Sequence, residues 1–181
     1  MSTELGVVKE QEKVAAILAV DIGGTKLAAA VVDLDGKIIL RDRVPTPARD
    51  PWTTLANLIK RVQASISDVE LLACGVACGG PMTLNGEKVS PLHISAWRDF
   101  ELRSLVADIT ALPTFVDNDA KALALSEGWM GSTAHLQNFM AVVVGTGVGA
   151  GLVLDSQLLD GRQGNAGHIG HIIVEPDGRA C

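Results

Sequence analysis

Two short glycine turns, Asp21-Ile22-Gly23-Gly24-Thr25-Lys26 and Gly145-Thr146-Gly147-Val148-Gly149, stand on either side of a carboxylate-bearing segment, Val116-Asp117-Asn118-Asp119. Glycine lets backbone N–H groups approach phosphate oxygens and adopt positive φ, and a threonine hydroxyl adds a further hydrogen bond. Gly23, Gly24 and Thr25 in one turn, and Gly145, Thr146 and Gly147 in the other, are therefore candidates for holding phosphates. Asp119 between them is the candidate general base, and Asp21 is a carboxylate placed to orient Mg²⁺ through water. Such a set suits transfer of the γ-phosphoryl of ATP, which needs positioned phosphates, a cation and a proton acceptor. Each residue also has a plainer reading. Asp119 suits the N-cap of a following helix, Asp21 suits a turn, and Lys26 reads as a solvated lysine outside the catalytic set.

The elements around these residues are those of an α/β protein. Val14 to Val20 reads as a strand entering the first turn, and Leu27 to Val32 as a second strand leaving it. No helix follows Gly23-Gly24, which excludes a P-loop and a dinucleotide fingerprint. Gly145, Gly147 and Ala150 fit a Gly-x-Gly-x-x-Ala spacing after the apolar run Met140 to Val144. The next segment, Gly149 to Leu154, is nevertheless short and glycine-rich and reads as the returning strand of a hairpin. Asp50-Pro51 starts a helix with Trp52, Leu55, Leu58, Ile59 and Val62 on its core face. Glu70 to Val76 is a strand leading into a Gly-Pro loop, Gly79 to Pro91. A second helix begins after Asp99 with Leu102, Leu105, Val106 and Ile109 inward, and a strand Thr114 to Val116 delivers Asn118-Asp119 to its C-terminal end, where α/β folds place ligands. A helix from Ala120 is expected to stop at Gly128.

The segment Val144-Gly-Thr-Gly-Val-Gly-Ala-Gly-Leu152, eight further residues, Gly161, and then Gly167-His168-Ile169-Gly170-His171 resembles the signature of the ROK family of sugar kinases and repressors. Asp21 to Lys26 is similar to that family's first phosphate motif, and Val116 to Ala120 to its catalytic segment. The resemblance runs from about Val14 to the end of the chain. It implies the actin-like ATPase (ribonuclease H-like) fold, with a complete small domain and a truncated large domain. The expected divisions are a tail over 1–13, a small α/β domain over 14–130, and the start of a large domain over 131–181. The expected activity is ATP-dependent phosphorylation of a hexose, most naturally on its 6-hydroxyl, with glucose first and N-acetylmannosamine or another N-acetylhexosamine as the alternative acceptor. A sugar-sensing regulator or non-catalytic binding protein on the same scaffold is the rival reading.

By the same resemblance, sugar recognition falls to Gly80, Asn118, Asp119, His168 and His171. His168 stands where glucose-specific members usually carry Glu, and Lys121 where the family often has Asn. The family continues past Cys181 with a Cys-x-Cys-Gly-x-x-Gly-Cys motif, so His171 and Cys181 would be half of a structural Zn²⁺ site if the chain continues.

Composition sets outer bounds. The 181 residues are 48% hydrophobic and 20% charged with 19 glycines, as a globular protein with a substantial core requires. A net charge of −6 and a pI near 5.1 argue against nucleic acid as a partner. Too few residues precede the first strand for a repressor's DNA-binding domain. No apolar run approaches the roughly 18 residues of a membrane span, and the polar start lacks a signal peptide's apolar centre, so a cytoplasmic protein, possible as a homodimer by family analogy, is expected. Cys74 and Cys78 read as buried thiols in preference to metal ligands.

Overall fold

The computed structural model describes residues 13–178 apart from Thr146; Thr146 and Cys181, both expected site residues, lie outside the described residues. Three strands open the chain, β1 (Val14–Ile22), β2 (Lys26–Asp33) and β3 (Ile38–Pro45), followed by α1 (Pro51–Ala64) and β4 (Val69–Cys78). Then come α2 (Leu102–Thr110), β5 (Thr114–Asn118) and α3 (Asp119–Met130), and finally β6 (Phe139–Val144), β7 (Val148–Leu154) and β8 (Gln157–Leu158).

The first sheet has the order β3-β2-β1-β4-β5. Its β1-β2-β3 part is antiparallel, whereas β4 and β5 run parallel to β1. β1 is two residues longer than expected, because Asp21 and Ile22 pair with Ala28 and Leu27. That shrinks the first turn to Gly23–Thr25, closed by Gly23 N–H donating to the Lys26 carbonyl at 2.9 Å. A second, three-stranded sheet contains the expected hairpin, with Val144 opposite Val148 and β8 adding to β7.

Strand alternation decides where the core sits. Ala16, Leu18, Val20 and Ile22 of β1, Leu27 and Val31 of β2, and Cys74, Val76 and Cys78 of β4 are buried on one face. α1 covers them with Leu55, Leu58, Ile59 and Val62, and α2 adds Leu102 and Val106. Each such fully buried aliphatic side chain contributes about 1.5–3 kcal/mol. α1 starts as expected, with the Asp50 carboxylate accepting from Thr53 N–H at 3.2 Å and Pro51 in the first turn. Trp52, expected in the core, is half-buried at its rim with its ring 5.9 Å from that of Phe100. The fully buried tryptophan is Trp97, stacked on Phe100 at 4.4 Å.

α3 corrects one expectation. It runs through Gly128, which lies against Phe139, and stops two residues later, where Gly131 N–H bonds to the Glu127 carbonyl at 3.1 Å. The helix leaves the end of β5 and packs on β6 and β7, so it joins the two sheets. No helix among the described residues is long and apolar enough to cross a membrane.

Candidate functional site

Ile22, Cys78 and Asn118 lie side by side in register across β1, β4 and β5. These three parallel strands therefore end at one level. The first glycine turn, the Gly79-Gly80 loop and Asp119 all leave the sheet from that edge. One step back, Asp21, Ala77 and Asp117 form the next row.

The helix start bears on the plainer reading of Asp119. The N-cap is Asn118, whose Oδ1 accepts from Ala120 N–H at 3.0 Å. Asp119 is the first helical residue, with its own Oδ1 2.9 Å from the same N–H, where the positive end of the helix dipole favours a carboxylate. Asp21 lies close enough for the Asp119 charge to bear on it. Partial burial raises the Asp21 carboxyl above its ordinary range, Lys26 draws it down, and Asp119 pushes it up again. Beneath both lies Cys78, its thiol pushed up to about 12 by burial first and then by Asp119 and Asp21. Cys74 is likewise pushed up to about 12 by burial, so both thiols are inert core groups, as expected.

The two glycine turns are braced by backbone and side-chain hydrogen bonds. Thr46 Oγ1 donates to the Gly23 carbonyl at 2.7 Å, and Thr46 N–H donates to that of Thr25 at 3.1 Å. Gly145 N–H donates to the Gly147 carbonyl at 2.9 Å. Gly23, Gly24, Gly145 and Gly147 are not among the glycines with positive φ, and a Cβ would be crowded only in the first turn, since at Gly145 it would meet nothing within 4 Å. At Gly24 the need is steric, since a Cβ there would lie 2.7 Å from the Cβ of His93. The same His93 reaches towards the second turn, its Nε2 3.9 Å from where a Cβ on Gly147 would sit. His93 thus stands between the two turns. Sequence reading missed it because nothing local distinguishes one histidine in a loop.

Beside Asp119 the expected sugar residues come together. A Cβ on Gly80 would lie 2.9 Å from the His168 ring and 3.6 Å from Asn118 Nδ2, so backbone, imidazole and amide share one corner. Burial lowers the His168 pKa, His171 and Lys121 lower it further, and Asp119 partly opposes them. His168 is then a neutral imidazole at pH 7, able to donate from one nitrogen and accept at the other. The ring of His171 lies 6.2 Å away.

The residues present bear differently on the two expected metals. Asp21 and Asp119, two carboxylates near enough for the charge of Asp119 to raise the Asp21 carboxyl, fit a divalent cation held mainly through water and phosphate. Zinc does not fit the described residues, which hold no group of three or more metal-ligating side chains; of the implied set only His171 is among them.

Two further side chains close the corner. The Lys121 ammonium, 1% exposed, lies 2.8 Å from Asp160 Oδ1, 2.9 Å from the Gly164 carbonyl and 3.3 Å from Asp117 Oδ1. Asn165 accepts from Met82 N–H at 3.1 Å and donates to the Met82 carbonyl at 2.9 Å. A cavity of about 840 Å³ forms a separate trough over the uncovered sheet face of Ala19, Ala28, Gly75 and Phe115. It touches Asp21 and Lys121 but not Gly80, Asn118, Asp119 or His168.

A mixed 3-2-1-4-5 sheet with glycine turns and carboxylates at its parallel strand ends defines an α/β protein of the actin-like ATPase fold. The ROK family profile matches residues 17–181, and the chain belongs to that family. It is 37% identical over 168 residues to an N-acetylmannosamine kinase of Escherichia fergusonii, a match covering 91% of the chain and 56% of the relative. Among solved structures, a ROK glucokinase from Streptomyces griseus in complex with glucose and AMPPNP aligns with TM-score 0.80 and 34% identity, over 90% of this chain and 52% of that one. A ROK-family transcriptional regulator, homologue of the E. coli MLC protein, aligns with TM-score 0.81 and 26% identity, over 94% of this chain and 44% of that one. The chain spans about half the length of the relatives it matches.

Proposed function

We infer that this chain carries the acceptor site and part of the phosphate site of an ATP-dependent sugar kinase. One observation carries the reading: Asp119 faces Asp21 at the strand ends, between two glycine turns and beside the Gly80–Asn118–His168 corner. In this reading the acceptor sugar lies in that corner with the hydroxyl to be phosphorylated, the 6-hydroxyl by preference, against Asp119. Asp119 takes the hydroxyl proton as the oxygen–phosphorus bond forms and the bond to the leaving ADP breaks. Gly23–Thr25 and Gly145–Gly147 hold the phosphates, and Asp21 orients Mg²⁺, whose role is to neutralise phosphate charge. Asn118 and His168 offer donors and an acceptor to neighbouring sugar hydroxyls.

Of the acceptors considered, we place N-acetylmannosamine before glucose. Relatives bearing that name match at 36–37% identity, and His168 offers a neutral imidazole where glucose-specific members usually present a carboxylate. The division into a small domain ending near 130 and a larger one beginning near 131 accords with the change of sheet across α3. A site without nucleic acid accords with the net charge of −6.

The likeness to a ROK transcriptional regulator supports a second reading, a sugar sensor without turnover. ADP release by the full-length protein separates the two. With ATP, Mg²⁺ and glucose, mannose, N-acetylglucosamine or N-acetylmannosamine, the kinase reading expects turnover with at least one sugar and none after Asp119→Asn. Sugar binding with no turnover on any of them would leave the sensor.

A further inference from the structure

Residues 160–168 reach the corner from outside the first sheet, held to β7 where Ala150 N–H donates to the Gly167 carbonyl at 2.8 Å, and two side chains fasten them to the rest of the corner. Lys121 is buried within the first turn of α3, two residues after Asp119. A buried ammonium is tolerated only where its charge and donors are matched: Lys121 donates to Asp160 and Gly164 and forms an ion pair with Asp117. Two of these belong to the 160–168 segment, and the third lies two residues before Asp119. Asn165, next along that segment, forms a two-bond amide pair with the backbone of Met82, two residues after Gly80. The segment then arrives at His168, in contact with Gly80.

We propose that Lys121 and Asn165 are positioning residues that strap residues 160–168 to the helix bearing Asp119 at one point and to the loop bearing Gly80 at the other, so that the acceptor corner is assembled before the sugar arrives. This rests on the sugar-kinase reading for its kinetic consequence, but not for its structural one. The two residues act in series. With Gly167 still bonded to Ala150, freeing either end breaks the same link between the Asp119 helix and the Gly80 loop, so losing the second adds little to losing the first. Two unrelated packing defects would add.

Hydrogen exchange on the full-length protein without ligands tests the strap whatever the activity proves to be. Lys121→Gln is expected to speed exchange across 79–89, a stretch that includes Met82 and that Lys121 does not bond, and Asn165→Ala is expected to do the same. Unchanged exchange at 79–89 in the Lys121 variant would overturn the proposal. Should that variant fold poorly, Asn165→Ala carries the test alone, through faster exchange at 160–168 well beyond the bonds it removes. With a sugar that turns over, each variant raises the sugar KM about tenfold with kcat and the ATP KM within about twofold. The double variant falls well short of the product of the two. A multiplicative double, or equal loss on both substrates, refutes series action. Absence of turnover in the unaltered protein defeats the kinase reading while leaving the exchange result to decide the strap.

Discussion

The imidazole of His168 rests directly on the backbone of Gly80, so close that a methyl group on Gly80 would come within 2.9 Å of the ring. Gly80→Ala therefore displaces His168 from the corner it shares with Asn118. The half-buried ring has room to swing, so the fold survives and the effect falls on the acceptor. The sugar KM is expected to rise about tenfold or more, with the ATP KM and the melting temperature little changed. Steady-state kinetics against each substrate reads this directly.

Asn118 and Asp119 are adjacent, yet Asn118→Ala bears on stability as well as on the acceptor, whereas Asp119→Asn bears on chemistry alone. Asn118→Ala removes the cap on Ala120 N–H and costs about 1 kcal/mol, or roughly 2–4 °C in melting temperature for a chain of this size. Asp119→Asn keeps the cap and the shape. It is expected to melt normally while kcat drops by about 10²–10⁴-fold, the range a general base supplies. A kcat unaffected by Asp119→Asn would remove it from the reaction.

Asp21 gives a pH signature. Its folded pKa is raised by burial, so in the window just above its ordinary value of 3.8 the folded state holds a proton that the unfolded state has released. Stability contributed by this group is thus lost as pH rises through that window, and above it the ionised carboxylate is a standing cost. Asp21→Asn is expected to melt higher than the native protein at pH 7, to lose that advantage below about pH 4, and to lose phosphoryl transfer throughout. A variant less stable than the native protein at pH 7 would contradict the assignment.

Gly24 and His93 form a testable pair across the phosphate site. Gly24→Ala forces a Cβ to within 2.7 Å of the His93 Cβ, and the first turn or the His93 loop must yield. The ATP KM is expected to rise about tenfold, since backbone donors must meet phosphate within tenths of an ångström. His93→Gly, which clears that Cβ, should recover most of the loss if the clash is the cause; no recovery would show that Gly24 matters for another reason.

Much of this site is written in contiguous residues. Gly23-Gly24-Thr25 follows a strand and precedes another, the hairpin around Gly145–Gly147 is marked by its short glycine-rich return, and Asp50-Pro51 announces α1. These features depend on neighbours within a few positions, which is where sequence patterns carry information. Lys121 and Asn165 depend on partners 39–43 and 83 residues away, and His93 on a glycine in another turn, so no local pattern marks them. Asp119 was ambiguous because Asn118 and Asp119 are both good caps, and only the helix start shows which one caps. Gly128 looked like a stop because glycine disfavours helix, but packing against Phe139 outweighs a propensity of about 1 kcal/mol.

The common level at which β1, β4 and β5 end separates two kinds of change. A one-residue insertion in any of these strands would turn its inward side chains outward and carry Asp21, Gly80 or Asp119 out of line with the others, so the phosphate chemistry is locked to the sheet. His168 is held from a different part of the chain, at the end of a tethered segment that no strand of the first sheet contains. On the proposed sugar-kinase reading, acceptor preference can therefore drift through substitutions in 160–168 while the reaction stays fixed, which gives one scaffold a route to many sugars.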